Sequence, residues 1–142
     1  MISRWRQALP LFAAIPLAAL GGLTLSASFP EPGWWFLAVP GIALMVWSLA
    51  GRRWWSALIV GLASGVAFWL PLIDWLTLYL GPVPWLALAT VMILWQVLWA
   101  LLAAFVLNNG PRLWTTARTQ LIFIPLVIAG LWVAREGISA VW

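Results

Sequence analysis

The sequence predicts an all-α protein, a polytopic membrane bundle of about five transmembrane helices whose N-terminus is cytoplasmic. The 142 residues are 65% hydrophobic and only 7% charged, whereas roughly a quarter of the residues in a soluble domain are charged. Five apolar stretches are each long enough to cross a hydrocarbon core of ~30 Å, which takes about 20 helical residues. They cover residues 8–28, 34–50, 54–80, 84–107 and 121–141, and together they predict a single transmembrane domain.

Proline, glycine and polar residues separate these stretches, at positions 29–33, 51–53, 81–84 and 108–120. Clusters of this composition mark turns. One proline lies inside a stretch, because Pro71 falls in the third predicted helix and removes one of its backbone hydrogen bonds. We therefore expect a kink just before Asp74 and Trp75.

The arginines predict the orientation, because positive residues in short loops are retained on the cytoplasmic side of a membrane. When the loops are numbered alternately, one side receives Arg4, Arg6, Arg52, Arg53, Arg112 and Arg118. The acids fall toward the other side, at Glu31, Asp74 and Glu136. Arg135 is the exception near the outer end of the last span, where its long side chain is expected to snorkel or to pair with a carboxylate.

The first stretch has a second interpretation as a secretion signal. A short basic start, an apolar run and the small residues Ser26 and Ser28 have the order of a signal peptide with its cleavage site. The polar interval before the next apolar run is too short to release a separate N-terminal domain. The sequence therefore favours a retained first span.

The absence of cysteine, histidine and lysine limits the chemistry that this chain can perform. It excludes disulfides, thiolate or imidazole metal sites, a cysteine nucleophile and a lysine Schiff base. No catalytic residue, metal site or cofactor is predicted within the chain. The net charge of +4 does not predict a nucleic-acid partner, because the arginines lie between apolar runs instead of on one solvated face.

A stripe of small residues lies on the third predicted helix, where Ala57, Gly61 and Gly65 recur at four-residue spacing. Small residues at this spacing let another helix approach closely. The stripe predicts helix packing within the chain, and the alternative is a seam for self-association.

Two aromatic and acidic pairs are candidate residues of an outward-facing lipid or substrate cavity. Asp74 precedes Trp75, and Asp74 is expected either at the outer interface or facing a hydrated cavity. Glu136 follows Trp132 by four residues, so both project from one helical face, whereas Arg135 is expected to point elsewhere. An acid–base pair of Asp74 and Glu136 is one interpretation, and interfacial acids that set orientation or cap helices are the other.

Three motifs resemble the membrane-embedded N-terminal half of apolipoprotein N-acyltransferase. They are Gly-Gly-Leu-Thr-Leu-Ser-Ala-Ser-Phe-Pro at 21–30, Gly-Val-Ala-Phe-Trp-Leu-Pro-Leu-Ile-Asp-Trp-Leu at 65–76, and Leu-Trp-Val-Ala-Arg-Glu at 131–136. The similarity covers almost the whole chain. The sequence departs from the family at Asp74, where asparagine is common, at Trp69, where phenylalanine is common, and at Ser139, where an arginine often follows the glutamate.

The resemblance implies an enzyme of two parts in the bacterial cytoplasmic (inner) membrane. An outer nitrilase-like domain, which family members place after further spans, would use glutamate, lysine and cysteine to take an acyl chain from a membrane phospholipid as a thioester. The acyl group would pass to the N-terminal diacylglyceryl-cysteine of a lipoprotein. This chain is then expected to be part of a longer enzyme and inactive alone, with Trp75 and Glu136 nearest the outward-facing site.

Two further hypotheses come from the residues themselves. One is a small membrane scaffold that associates through Gly61 and Gly65. The other is a small transporter that uses Asp74.

Overall fold

The structure, a computed structural model, describes residues 8–29 and 33–139, and every regular element within those ranges is helical. The α-helices are α1 (Leu11–Ser26), α2 (Ala38–Leu49), α3 (Trp54–Leu72), α4 (Thr77–Leu80), α5 (Pro82–Leu113) and α6 (Ala117–Ser139). Single 3-10 turns precede α2 and α4, at Trp35–Leu37 and Asp74–Leu76. The predicted all-α class is confirmed, and the apolar helices are consistent with a membrane helix bundle.

Three helices are long and apolar enough to cross a bilayer, namely α3, α5 and the Ala117–Ile138 part of α6. With 32 residues, α5 measures ~48 Å at 1.5 Å per residue, which exceeds the ~30 Å of a hydrocarbon core. The apolar helices α1 and α2 have 16 and 12 residues, or about 24 and 18 Å. Five crossings therefore remain a prediction.

The third predicted span is interrupted at its C-terminal end. Where a kinked helix was expected to run through residue 80, α3 ends at Leu72, and Ile73 leaves the helical region with φ −110° and ψ 17°. Pro71 weakens the last turn because it donates no backbone hydrogen bond. The short α4 then ends at Leu80, and the next residue, Gly81, has a φ of +79°, a conformation that favours glycine. This break places Asp74 and Trp75 in a surface segment.

The last connection is shorter than the predicted one at 108–120, because α5 continues to Leu113 and α6 begins at Ala117. Backbone carbonyls accept hydrogen bonds from the polar side chains of the predicted loop. Asn109 Nδ2 donates to Phe105 O, one turn back, at 2.9 Å. Asn108 Nδ2 donates to Arg52 O at 2.7 Å and so links α5 to the α2–α3 connection.

In the bundle, α1 packs between α2 and α3. Helix α3 also packs against α5, and α6 packs against α5. Short connections make sequential long helices antiparallel, so the bundle has two ends. We call them the Arg52 end and the Arg135 end. The Arg52 end also holds Arg53, Arg112 near the end of α5, and Arg118 at the start of α6. Which end faces the cytoplasm remains a prediction of the positive-inside rule.

Small residues allow the central helices to touch. A Cβ atom on Gly22 of α1 would collide with the backbone oxygen of Ser64 on α3. The predicted stripe on α3 faces α5, since a Cβ on Gly61 would lie 2.8 Å from Ala100 Cβ, and one on Gly65 would lie 3.2 Å from Gln96. In lipid, helix association depends on such van der Waals contact. A helix of the same chain thus occupies the surface considered for self-association.

We expect Gly22→Ala to lower the free energy of unfolding of the bundle by about 1–2 kcal/mol. The added methyl group would collide with the backbone oxygen of Ser64, which can move only if the backbone of α3 moves. Gly130→Ala is the control, since a Cβ there meets nothing within 4 Å and alanine favours a helix. Thermal unfolding in detergent measures the difference. Equal midpoints for the two variants would contradict the close α1–α3 packing.

Arg52 joins three segments at its end of the bundle. Its side chain, 4% exposed, donates from Nη2 to Leu9 O at 2.6 Å and from Nε to Ser48 O. Burial lowers the pKa of its guanidinium below the ordinary value. Arg52 is therefore a structural clamp, in addition to the topology determinant that the sequence predicts, whereas its neighbour Arg53 is exposed.

We expect Arg52→Ala to cost about 2 kcal/mol, because hydrogen bonds from a charged donor contribute more than neutral ones and two carbonyls lose their partner. Arg53→Ala removes the same charge from an exposed position and is expected to change stability little. Thermal unfolding in detergent should therefore give a lower midpoint for Arg52→Ala than for Arg53→Ala. If the two midpoints coincide, the clamp contributes nothing beyond charge.

Candidate functional site

An apolar groove lies between α2, α5 and α6, with a volume of about 700 Å³. It forms because α6 packs on α5 while α2 packs mainly on α1, so α2 and α6 become facing walls. Six of its lining residues are Val39, Val46 and Trp47 of α2, Trp99 of α5, and Ala129 and Trp132 of α6. The lining contains no charged side chain and is almost entirely hydrocarbon and aromatic. Its size falls within the ~300–1,000 Å³ of ordinary ligand sites, and its chemistry suits an acyl chain.

An aromatic cluster lies beside the groove and shares Trp99 and Trp132 with its lining. Trp99 and Trp132 meet edge to face with ring centroids 5.1 Å apart. Phe68 of α3 lies 6.4 Å from Trp132 and 4.7 Å from Trp69. Edge-to-face and tilted contacts at these separations are favourable for aromatic rings. The cluster therefore ties α6, which otherwise rests on α5, to α3.

The Arg135 guanidinium is held between two indole rings. Its Cζ atom lies 5.2 Å from the Trp69 centroid and 4.7 Å from the Trp132 centroid. The residue is 5% exposed, and indole is the aromatic ring that attracts a cation most strongly. An arginine in a spanning helix is costly unless it is compensated. The two rings and the adjacent carboxylate of Glu136 supply that compensation.

The predicted separation of Arg135 and Glu136 is wrong, because Arg135 Nη1 lies 3.2 Å from Glu136 Oε1. The Cβ atoms of adjacent helical residues do point in different directions. Both side chains are long enough to curve back toward each other. Of the two outcomes expected for Arg135, pairing with a carboxylate is the one observed. Glu136 remains half-exposed, with 48% of its side chain accessible.

The predicted cavity residues divide into two groups. Trp132 lines the groove, and Glu136 is joined to it through Arg135. Asp74 and Trp75 are exposed in the segment between α3 and α4. There the Trp75 ring lies 6.1 Å from the Tyr79 ring, and Asp74 O accepts a hydrogen bond from Thr77 at 2.7 Å. The described contacts of Asp74 and Trp75 are with their own segment, so they give no support to an acid–base pair of Asp74 and Glu136.

Sequence reasoning missed Arg135 as a site residue and did not single out Gln96. Arg135 follows Trp132 by three residues, a spacing that brings side chains together on a helix. Its charge within a predicted span was a signal in its own right. Gln96 is fully buried in α5, and a polar residue inside an apolar helix carries the same signal.

The groove offers few side chains that could take part in making or breaking covalent bonds. No group of three or more possible metal ligands is found among the described residues. The chain also has no cysteine, histidine or lysine, so the groove can hold and orient a molecule but offers it no familiar nucleophile.

The fold is an all-helical bundle whose apolar helices are consistent with a membrane domain, and it contains an apolar groove of about 700 Å³. The sequence matches the apolipoprotein N-acyltransferase N-terminal domain over residues 21–142, and the chain belongs to that family. An apolipoprotein N-acyltransferase of Mycolicibacterium smegmatis is 48% identical over 82 residues, which are 56% of this chain and 13% of that protein. No solved structure matches the chain. The resemblance inferred from the three motifs is confirmed.

Proposed function

We propose that this chain is the membrane-embedded part of an N-acyltransferase of the bacterial cytoplasmic membrane. The complete enzyme transfers an acyl chain from a phospholipid to the N-terminal diacylglyceryl-cysteine of a lipoprotein. This part anchors the enzyme and gives lipid access to the reaction site. The observation that carries the proposal is the apolar groove, whose lining residue Trp132 contacts Arg135, which in turn pairs with Glu136.

The groove supports lipid access by both its lining and its position. A hydrocarbon lining between three helices of a membrane bundle admits an acyl chain without removing any polar group from water. The polar residues Arg135 and Glu136 lie near Trp132, at one end of the groove. An amphiphile has a polar group and an apolar chain and would need both surroundings. If the predicted orientation holds, this end is the outer one, where lipoprotein substrates and an outer catalytic domain would be.

Trp75 and Asp74 have a different place in the proposal. Their exposed segment begins where α3 breaks and is rich in aromatic and apolar side chains, with Leu78 and Tyr79 83% and 78% exposed. Such amphipathic aromatic residues favour the headgroup level of a bilayer. We assign this segment to the membrane surface.

The catalytic groups belong to another part of the enzyme. A thioester mechanism needs a thiolate and a base, and the chain contains no cysteine, histidine or lysine to provide them. Its own contribution is positioning, which in transfer reactions accounts for a large share of the rate.

The test is acyl transfer from a phospholipid to a synthetic diacylated lipopeptide in proteoliposomes. The complete protein encoded with this segment is expected to transfer the acyl chain, and the purified 142-residue chain is expected to transfer none. Release of N-acylated lipopeptide is followed by mass spectrometry. Transfer by the 142-residue chain alone, or none by the complete protein, would overturn the proposal.

A further inference from the structure

Three exposed arginines lie at the Arg52 end of the bundle, namely Arg53, Arg112 and Arg118. Within the part of the chain that the structure describes, their guanidinium groups make no hydrogen bond or ion pair. Arg52 differs from them, because its side chain is buried and donates to two backbone carbonyls. The three exposed guanidinium groups are therefore available to a ligand, whereas that of Arg52 is not.

No negative charge balances these arginines among the described residues. The acids in the described ranges are Asp74 and Glu136, and both lie toward the Arg135 end. Glu136 is paired there with Arg135. Neighbouring like charges repel one another, and an anion that binds between them relieves the repulsion. The Arg52 end of the bundle therefore favours a negatively charged partner.

A tertiary hydrogen bond holds Arg53 near Arg112. Asn108 Nδ2 donates to Arg52 O at 2.7 Å, which fixes the residue before Arg53 against α5. Arg112 follows Asn108 by four residues, so both side chains extend from the same face of α5 and lie ~6 Å apart along it. Arg53 and Arg112 are therefore side by side, at the adjoining ends of α3 and α5.

A second set of contacts holds Arg118 beside the end of α5. Gln120 Nε2 donates to Trp114 O at 2.7 Å, across the short connection between α5 and α6. The Trp114 ring stacks on Phe123, with ring centroids 5.7 Å apart and an interplanar angle of 12°. These contacts fix the first turn of α6, which contains Arg118. The three arginines thus project from the adjoining ends of α3, α5 and α6.

Exposed aromatic and apolar side chains beside the arginines indicate the depth of this surface in a bilayer. Trp54 and Trp55 follow Arg53, are 60% and 62% exposed, and stack with ring centroids 3.9 Å apart. Leu113 follows Arg112 and is 75% exposed. Exposed indole rings favour the head-group level of a membrane, so the adjacent arginines lie at that level too. A dissolved anion would gain nothing from these apolar side chains, whereas a lipid contacts both.

We propose that Arg53, Arg112 and Arg118 bind the head group of an anionic phospholipid, in the leaflet that surrounds the Arg52 end of the bundle. Guanidinium offers paired hydrogen bonds to phosphate oxygens. A lipid of net negative charge is preferred to a zwitterionic one, because no ammonium group offsets its phosphate. None of the three arginines lines the groove, so this lipid is a stabilising ligand and not an acyl donor. The inference holds whether or not the chain takes part in acyl transfer.

A lipid bound at this surface would join helices that have few other links at this end. Helix α6 packs on α5, and its ring contacts with α3 lie toward the Arg135 end, at Phe68 and Trp69. A head group shared by Arg53 and Arg118 would connect α3 to α6 at the opposite end. A ligand that binds only the folded state stabilises it, so anionic lipid is expected to raise the unfolding midpoint of the bundle.

The experiment measures lipid bound to the full 142-residue chain, after delipidation, by native mass spectrometry. The probes are phosphatidylglycerol, cardiolipin and the zwitterionic phosphatidylethanolamine, all with the same acyl chains. Both anionic lipids are expected to bind at least about tenfold more tightly than phosphatidylethanolamine, since each basic residue near a head group adds to the attraction. Raising the salt concentration should reduce this preference, because the arginines are exposed and their charges are screened.

Two matched variants test the residues. The combined variant Arg53→Gln, Arg112→Gln and Arg118→Gln should lose the preference for anionic lipid. The combined variant Arg53→Lys, Arg112→Lys and Arg118→Lys keeps the charges and should retain most of it. Thermal unfolding in nanodiscs is the second measurement, in which phosphatidylglycerol should raise the midpoint of the unmodified chain and of the lysine variant but not that of the glutamine variant.

A soluble competitor separates a lipid site from a general phosphate site. Glycerol phosphate carries the charged group without acyl chains and should leave the anionic lipid bound at an equal concentration. Displacement by glycerol phosphate would overturn the inference. So would equal binding of phosphatidylethanolamine, a preference that persists in the glutamine variant, or one that disappears in the lysine variant as well.

Discussion

Acyl transfer by the complete protein is expected to fall about 100-fold when Ala129 is replaced with tryptophan, because misplacing a substrate costs rate on this scale. Ala129 lies on the α6 wall of the groove, and an indole there would fill the path assigned to the acyl chain. The helix itself should tolerate the change, since Ala129 faces the groove and is exposed. The measurement is kcat/KM for transfer to a diacylated lipopeptide in proteoliposomes.

The matched control is Ala87→Trp, an exposed alanine on α5 that does not line the groove. It adds the same side chain to the lipid-facing surface of the bundle and should leave kcat/KM nearly unchanged. Donor phospholipids with shorter acyl chains should recover part of the activity of Ala129→Trp. Unchanged transfer by Ala129→Trp would mean that the acyl donor does not use this groove.

Much of the fold follows directly from the sequence. Apolar runs separated by proline and glycine define helices, and short connections make sequential helices antiparallel. Local contacts then decide the boundaries. The sequence did not reveal that Asn108 would find the carbonyl of Arg52, which lets α5 continue through the expected loop. Nor did Pro71 alone distinguish a kinked helix from a broken one.

The site was less predictable than the fold. Trp132 and Glu136 were identified because one helical face carries both, yet the groove requires three helices at a particular spacing, which no local pattern specifies. The ion pair of Arg135 with Glu136 was not predictable from the direction of the Arg135 Cβ atom, because a guanidinium reaches its partners several bonds away from Cβ. Contacts of this kind, between Trp69 on α3 and Arg135 on α6, depend on tertiary packing.

Phe68→Ala is expected to destabilise the bundle by about 3 kcal/mol, because truncating a buried phenylalanine removes its packing contacts and leaves a cavity. Phe68 is 1% exposed and contacts the rings of Phe29, Trp69 and Trp132. It therefore links α3 to the end of α1 and to α6. In lipid, where helices gain little from the hydrophobic effect, lost packing is the dominant cost.

The measurement is the unfolding midpoint in detergent, with Phe105→Ala as the control. Phe105 is 65% exposed on α5, so its truncation removes contacts with lipid or detergent and leaves the interior intact. A second readout separates local from global effects, because the fluorescence of tryptophans in the cluster should shift in Phe68→Ala before unfolding. If both variants unfold together and emit alike, Phe68 does not hold the aromatic cluster in place.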